Sequence, residues 1–306
     1  MNNKRMFWLF TLLSVAYIVL SLVIPPDNSA LLKYDLSTAE AQLLKLTVTL
    51  PVVAIWFVAY YGYYKFSRYV SLLPQSAEKA PFRKLQRGLL ILVLWLPVTS
   101  VISSLFSLFY TQNQDLTPSL IILTNYINIA ILLYAFYYLA KGSRELAATA
   151  KKAGSWAWKS VAMIVMVIAG LVFVIITLAD PYRRNPVDEG LTTAYFLPDW
   201  LLASTVIFPY LLIFYLGYQA ATCIHTYKEQ VNGVIYRSAL KHIANGIGVV
   251  IISILAIRYF MALGTALNDA NLRGILTTLY GLVIIIAIGF LLIARGAKKL
   301  QKIEEI

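Results

Sequence analysis

The sequence predicts an all-α integral membrane protein of eight transmembrane helices, arranged as two parallel four-helix repeats. Composition predicts it first: of 306 residues, 60% are hydrophobic and only 13% charged, against roughly 45–50% and about 25% in soluble domains. The second observation is a recurrence of apolar runs about twenty residues long, the length that crosses a hydrocarbon core of roughly 30 Å. The third is that the second half of the chain resembles the first.

The runs cover 7–24, 43–64, 88–110, 120–140, 160–179, 200–223, 243–263 and 274–294, and they leave no segment for a soluble domain. Run one follows Lys4 and Arg5 as a secretory signal would. Its apolar stretch is too long for one and ends at Pro25-Pro26 with no small-residue cleavage site, so it reads as a retained helix. Before run two, Ser37-Thr38-Ala39-Glu40 has the S-x-x-E spacing of a capping box, so that helix starts outside the bilayer. Thr117-Pro118 and Leu197-Pro198 put proline in the first turn of helices four and six, where its missing N–H costs nothing. Pro51, Pro97 and Pro209 fall inside runs two, three and six, where each frees a carbonyl. They are the candidate hinges, although static bends that improve packing are the commoner use of such prolines.

Orientation follows from Lys and Arg, which accumulate on the cytoplasmic side of short connections. The N-terminus, the segments 65–87, 141–159 and 225–242, and the C-terminal tail hold 20 of the 26 basic residues. Nine of the 14 acidic residues fall on the other side. Both termini are therefore expected in the cytoplasm of a cell-membrane protein. The net charge of +12 reads as this topology signal, with basic loops against anionic lipid, and no nucleic-acid-binding motif accompanies it. The lone Cys223 cannot form an internal disulfide.

The internal duplication pairs residues 139–146 with 293–300 at an offset of 154, and Thr124-x-Tyr126 with Thr278-x-Tyr280. The same offset sets Arg83, Arg87 and Phe106 against Arg237, Lys241 and Phe260, and Ser104 against Arg258. An offset of 158 instead pairs Pro51 with Pro209 and Tyr69 with Tyr227, which places a four-residue shortening in the middle cytoplasmic loop of the second copy. Helices one and five match loosely. Four helices per copy is an even number, so the copies enter the membrane in the same direction as parallel repeats, 1–150 and 151–306, of one continuous membrane domain. The basic, Ala-rich segment 141–159 is the seam, and it and the tail from Arg295 are expected to continue their helices beyond the bilayer.

Candidates for chemistry are few. No acidic residue lies deep in a run, and no phosphate loop, zincin helix or nucleophile elbow occurs. The sequence thus gives no catalytic, cofactor or metal site, and an enzyme is not expected. His225 and His242 could approach Cys223, but no metal-ligand spacing is complete. Arg258 is the one formal charge well inside a run and should face protein or water. It lines a path, snorkels outward, or makes a structural pair with Asp180, Asp199 or Asp269. In run three, Ser100, Ser103 and Ser104 share a helix face beside Thr99, and in run four Asn125 and Asn128 share another. Hydroxyls and amides in lipid need partners, so these faces turn inward, to bond between helices or to line a hydrated cavity. Tyr60, Tyr61, Tyr63, Tyr64, Tyr134, Tyr137 and Tyr138 read as an aromatic belt at the inner interface.

Two functional readings follow. The first is a noncatalytic membrane-complex, sensory or regulatory component whose partners are the bilayer and other membrane proteins or copies of itself. The near absence of ionisable groups at membrane depth favours it. The alternative is a carrier or channel for a small solute, anionic if Arg258 faces the path, whose path between the repeats is lined by Arg258, Ser104, Ser103, Ser100, Thr99, Asn125 and Asn128. No cofactor is implied by either.

Overall fold

The computed structural model describes residues 3–24, 37–74, 78–110, 117–149, 199–266 and 272–304. Among them are seven helices: α1 (Asn3–Val23), α2 (Thr38–Leu72), α3 (Lys79–Tyr110), α4 (Thr117–Ala148), α5 (Asp199–Gln230), α6 (Val234–Ala266) and α7 (Leu272–Glu304). The fifth apolar run, 160–179, and Pro198 lie outside the described residues, so α5, α6 and α7 correspond to runs six, seven and eight. Three helices, over Lys4–Val23, Thr38–Leu72 and Lys79–Phe106, are long and apolar enough to cross a membrane. Many large apolar side chains face outward, among them Trp8, Leu12 and Val23, and on such helices the fitting solvent is lipid.

Local sequence sets the ends. The capping box at α2 is formed: the Glu40 amide donates to Ser37 Oγ at 3.3 Å, and the Ser37 amide donates back to Glu40 Oε2 at 2.9 Å. The last carbonyls of α1 are taken by α2, through Gln42 Nε2 to Leu22 O at 3.2 Å and Lys45 Nζ to Ile24 O at 2.8 Å. Only residues 231–233 separate α5 from α6. Gly233 makes that short link with φ of +111°, a conformation side chains resist. Helices α2, α3 and α5 run unbroken through Pro51, Pro97 and Pro209. At the end rich in Lys and Arg, here the basic end, the helices overrun the apolar windows: α2 to Leu72, α4 to Ala148, α5 to Gln230 and α7 to Glu304.

The most extensive helix contacts are α6 with α7 and α3 with α4, followed by α2 with α7 and α4 with α5; α1 packs on α2 and α3. Glycines permit the first two pairs to close. A Cβ on Gly88 of α3 would lie 2.8 Å from Ala135 O and against Leu139, and one on Gly246 of α6 would lie 2.6 Å from Gly289 O and against Ile293. In the opposite sense, Gly142 of α4 faces Pro81 and Leu85, while Gly296 of α7 faces Ala239 and Ile243. Small residues at these crossings let the backbones touch, which is how helices gain dispersion contact where no hydrophobic effect drives them together.

The buried core centres on Trp56, Phe66 and Tyr69 of α2, Phe82 and Leu85 of α3, Phe136 of α4 and Phe290 of α7. Tyr69 and Phe82 rings meet edge to face at 5.3 Å. At the basic end, Lys84 of α3 and Glu145 of α4 form an ion pair, and Lys299 of α7 donates to Ser238 Oγ of α6 at 2.8 Å. Two crossed contacts tie the first four helices to the last three there. Tyr69 and Tyr236 hydroxyls lie 3.3 Å apart, and the Tyr227 hydroxyl donates to Glu78 Oε1 at 2.6 Å.

Candidate functional site

Helices α1, α3 and α4 border a shallow, largely open cavity of about 300 Å³ lined by Tyr17, Thr99, Ser100, Ser103, Ser104 and Asn128, a volume at the lower end of small-molecule pockets. It gathers the hydroxyl face of α3 and one of the two asparagines of α4. Asn125 and Arg258 lie on α4 and α6, but their side chains are outside what is described. Pro97 is buried on α3 beside the cavity residues, whereas Pro51 and Pro209 sit half-buried on α2 and α5. Among the described residues, all of the lining belongs to the first half of the chain.

The polar groups are held before any ligand arrives. The indole N–H of Trp95 donates to Asn128 Oδ1 at 2.9 Å, and Asn128 Nδ2 donates to Thr124 O at 3.0 Å. The carboxamide is thereby fixed in orientation, with a further donor and acceptor site still available on it. Thr99 Oγ1 donates to Trp95 O at 2.7 Å, a back-bond that Ser and Thr adopt inside helices. Tyr17 packs its ring on Trp56, centroids 5.0 Å apart, and its hydroxyl hydrogen-bonds Thr49.

Tyr17, Thr49 and Trp95 did not stand out among the candidates. Trp95 carried a usable signal: a tryptophan in mid-run, away from the interfaces, needs a partner for its N–H, and the amides of run four were the available acceptors. Tyr17 carried none, because nothing in run one fixes which face meets helix three.

The described lining offers hydroxyls and one carboxamide and no ionisable acid or base apart from the Tyr17 phenol. Hydroxyls and a carboxamide can both donate and accept hydrogen bonds.

The titratable clusters lie at the basic end. Burial pushes the Tyr227 hydroxyl up, reinforced by its bond to the Glu78 carboxylate, and burial likewise raises Tyr236. Burial lowers His225, with the Lys228 ammonium adding to it and the bond to Asn245 opposing. Its Nε2 lies 3.2 Å from Asn245 Oδ1, and His242 Nδ1 lies 2.5 Å from Ser238 O. Among the described residues, no three His, Cys, Asp or Glu side chains are grouped to hold a metal ion.

No protein-family model, curated protein or solved structure matches this chain.

Proposed function

We propose that this chain is a noncatalytic multi-pass membrane component, sensory or regulatory in kind, that holds a small neutral polar molecule in the cavity between α1, α3 and α4. We read it as two parallel four-helix repeats with eight membrane spans and both termini cytoplasmic.

The glycine contacts support the repeat and refine its register. Gly88, Pro81 and Leu85 of α3 correspond to Gly246, Ala239 and Ile243 of α6, each 158 residues on, while Ala135, Leu139 and Gly142 of α4 correspond to Gly289, Ile293 and Gly296 of α7, each 154 on. The crossed contacts obey the same rule, since Tyr69 and Glu78 shifted by 158 become Tyr227 and Tyr236. In this register the four-residue shortening falls between helices three and four of the second copy instead of in the middle loop. The partner of Arg258 becomes Ser100, not Ser104. The offset of 154 matched cations across α3 because Arg83 and Arg87 stand four apart, as do Arg237 and Lys241, so a slip of one helical turn sets like on like.

One observation carries the functional reading: four of the cavity's polar groups have apolar counterparts at the equivalent positions of the second copy, and a fifth, Ser100, has Arg258. Thr99, Ser103, Ser104 and Asn128 correspond there to Ile257, Met261, Ala262 and Leu282, and Trp95, which holds Asn128, corresponds to Ser253. Polar groups kept only for helix packing have no reason to differ where the packing glycines agree. Close contact between the halves also favours this reading over a path between repeats. A Cβ on Gly62 of α2 would lie 2.8 Å from Phe290 O of α7.

Native mass spectrometry of the protein drawn from its own membranes into mild detergent tests the reading. A small neutral molecule should accompany the wild type and be depleted about tenfold in Asn128→Leu, the loss expected for one buried hydrogen bond of about 1.4 kcal/mol. Equal occupancy in both proteins would remove the cavity from the proposal. The carrier alternative rests on the duplicated architecture. Solute flux in proteoliposomes that Arg258→Gln abolishes without unfolding the protein would establish it instead.

A further inference from the structure

We propose that the outward face of α3 and α4 at the basic end is a binding site for the phosphate headgroup of one anionic phospholipid. The proposal rests on the membrane-spanning, basic-end-inside reading above and is independent of the cavity.

On α4, Leu123, Tyr126, Ala130, Tyr134, Tyr137 and Lys141 are all exposed and recur three or four residues apart, which makes one continuous stripe. It passes from apolar to aromatic to cationic. From Ala130 to Lys141 it rises about 16 Å, one leaflet's worth of hydrocarbon. At its basic end the side chains are ordered by one another. Arg87, exposed on α3, acts electrostatically on the Tyr138 hydroxyl, and the Tyr138 and Tyr134 hydroxyls lie 3.2 Å apart. Lys141 Nζ donates to the Tyr137 hydroxyl at 3.3 Å and lies 5.5 Å above the same ring. The Lys141 ammonium is thus drawn back one turn toward the apolar stripe instead of extending into water. Glu145, the acid next along the face, is engaged by Lys84.

A generic interfacial belt would put the same residues on the equivalent face of the second copy, and it does not. Tyr134, Tyr137, Tyr138 and Lys141 correspond there to Ile288, Leu291, Leu292 and Arg295, and Arg87 corresponds to Asn245, which bonds His225. That face keeps a cation and loses every hydroxyl. Two cations beside tyrosine hydroxyls at headgroup depth, Lys141 donating to one of them, with an apolar track for an acyl chain leading to them, match a phosphodiester anchored in a bilayer.

The test is native mass spectrometry of the full chain in detergent, titrated with phosphatidylglycerol or phosphatidylcholine. One phosphatidylglycerol should be retained in preference to phosphatidylcholine. Arg87→Gln with Lys141→Gln should lower that retention by about tenfold, and Tyr134→Leu with Tyr138→Leu should lower it severalfold. The matched charge loss on the other face, Lys241→Gln with Arg295→Gln, should leave it nearly unchanged. Equal losses from both charge pairs would overturn the proposal, since only net charge would then matter. Displacement of the lipid by millimolar inorganic phosphate would overturn it too, by making the site one for a free anion. Both pairs are solvent- or lipid-facing, and the tyrosine variant keeps every charge, so it decides the matter if the charge variant folds poorly. None of these substitutions touches the cavity, whose occupancy reports separately on the functional reading.

Discussion

The pairs α3/α4 and α6/α7 close in the same way and differ almost everywhere else. In each, a glycine of the earlier helix rests on a carbonyl of the later one, and a glycine of the later helix returns the contact one or two turns away. Around that shared seam, α3/α4 carries a tryptophan–asparagine bond, a threonine–backbone bond and an ion pair, where α6/α7 carries Ser253 bonded to its own helix at 2.7 Å and Lys299 on Ser238. The difference teaches that backbone proximity is the costly property to keep, because a single added methyl meets main chain. Side chains beyond the seam are free to diverge, so divergence there is where function is to be sought.

The comparison breaks first at the seam. Gly246→Leu and Gly88→Leu each drive a side chain into a backbone carbonyl and should lower stability by about 3 kcal/mol or more, beyond ordinary overpacking. Thermal unfolding in detergent should show similar losses for the two; a harmless substitution at either would deny that both seams bear the same load. Next comes the tryptophan–asparagine bond. Asn128→Leu, which imports the residue of the second copy, strands the Trp95 N–H and should cost about 1–2 kcal/mol. Trp95→Phe in the same chain should restore part of that loss, and additive losses in the double-mutant cycle would mean that the two side chains are not coupled. The smallest effect belongs to His225. Its folded pKa lies below the unfolded value of about 6.5, so the unfolded chain binds more protons in the window at and below that pH. Stability should rise with pH across that window and fall as pH drops through it, and His225→Gln should flatten the profile relative to the wild type.

Helices were legible because lipid demands long apolar runs, and the capping box at Ser37 because its spacing is its mechanism. The polar face of α3 was legible for the same reason: four hydroxyl side chains in one run cannot all turn to lipid, and they line one cavity with Asn128. What was not legible lay between helices. Nothing in run one says that Tyr17 meets Thr49 and the cavity, since an apolar helix reads alike on every side. Helix ends were not legible either: α3 starts at Lys79, ahead of an apolar run that begins at 88, because hydropathy marks the lipid boundary and not where hydrogen bonding stops. On the proposed repeat, the α3/α6 register is hard to read for the related reason that cations four apart recur with the helix itself.

The crossed pairs Tyr69–Tyr236 and Tyr227–Glu78 have a mechanical consequence. Each joins an early helix to a late one, and both sit at the same end of the bundle. Tyr227 and Tyr236 also interact with each other, so the four side chains form one cluster, and Gln301 of α7 donating to Lys65 O of α2 fastens the same end again. Parting the halves at that end therefore means breaking several polar contacts together, each of which shields the others from water.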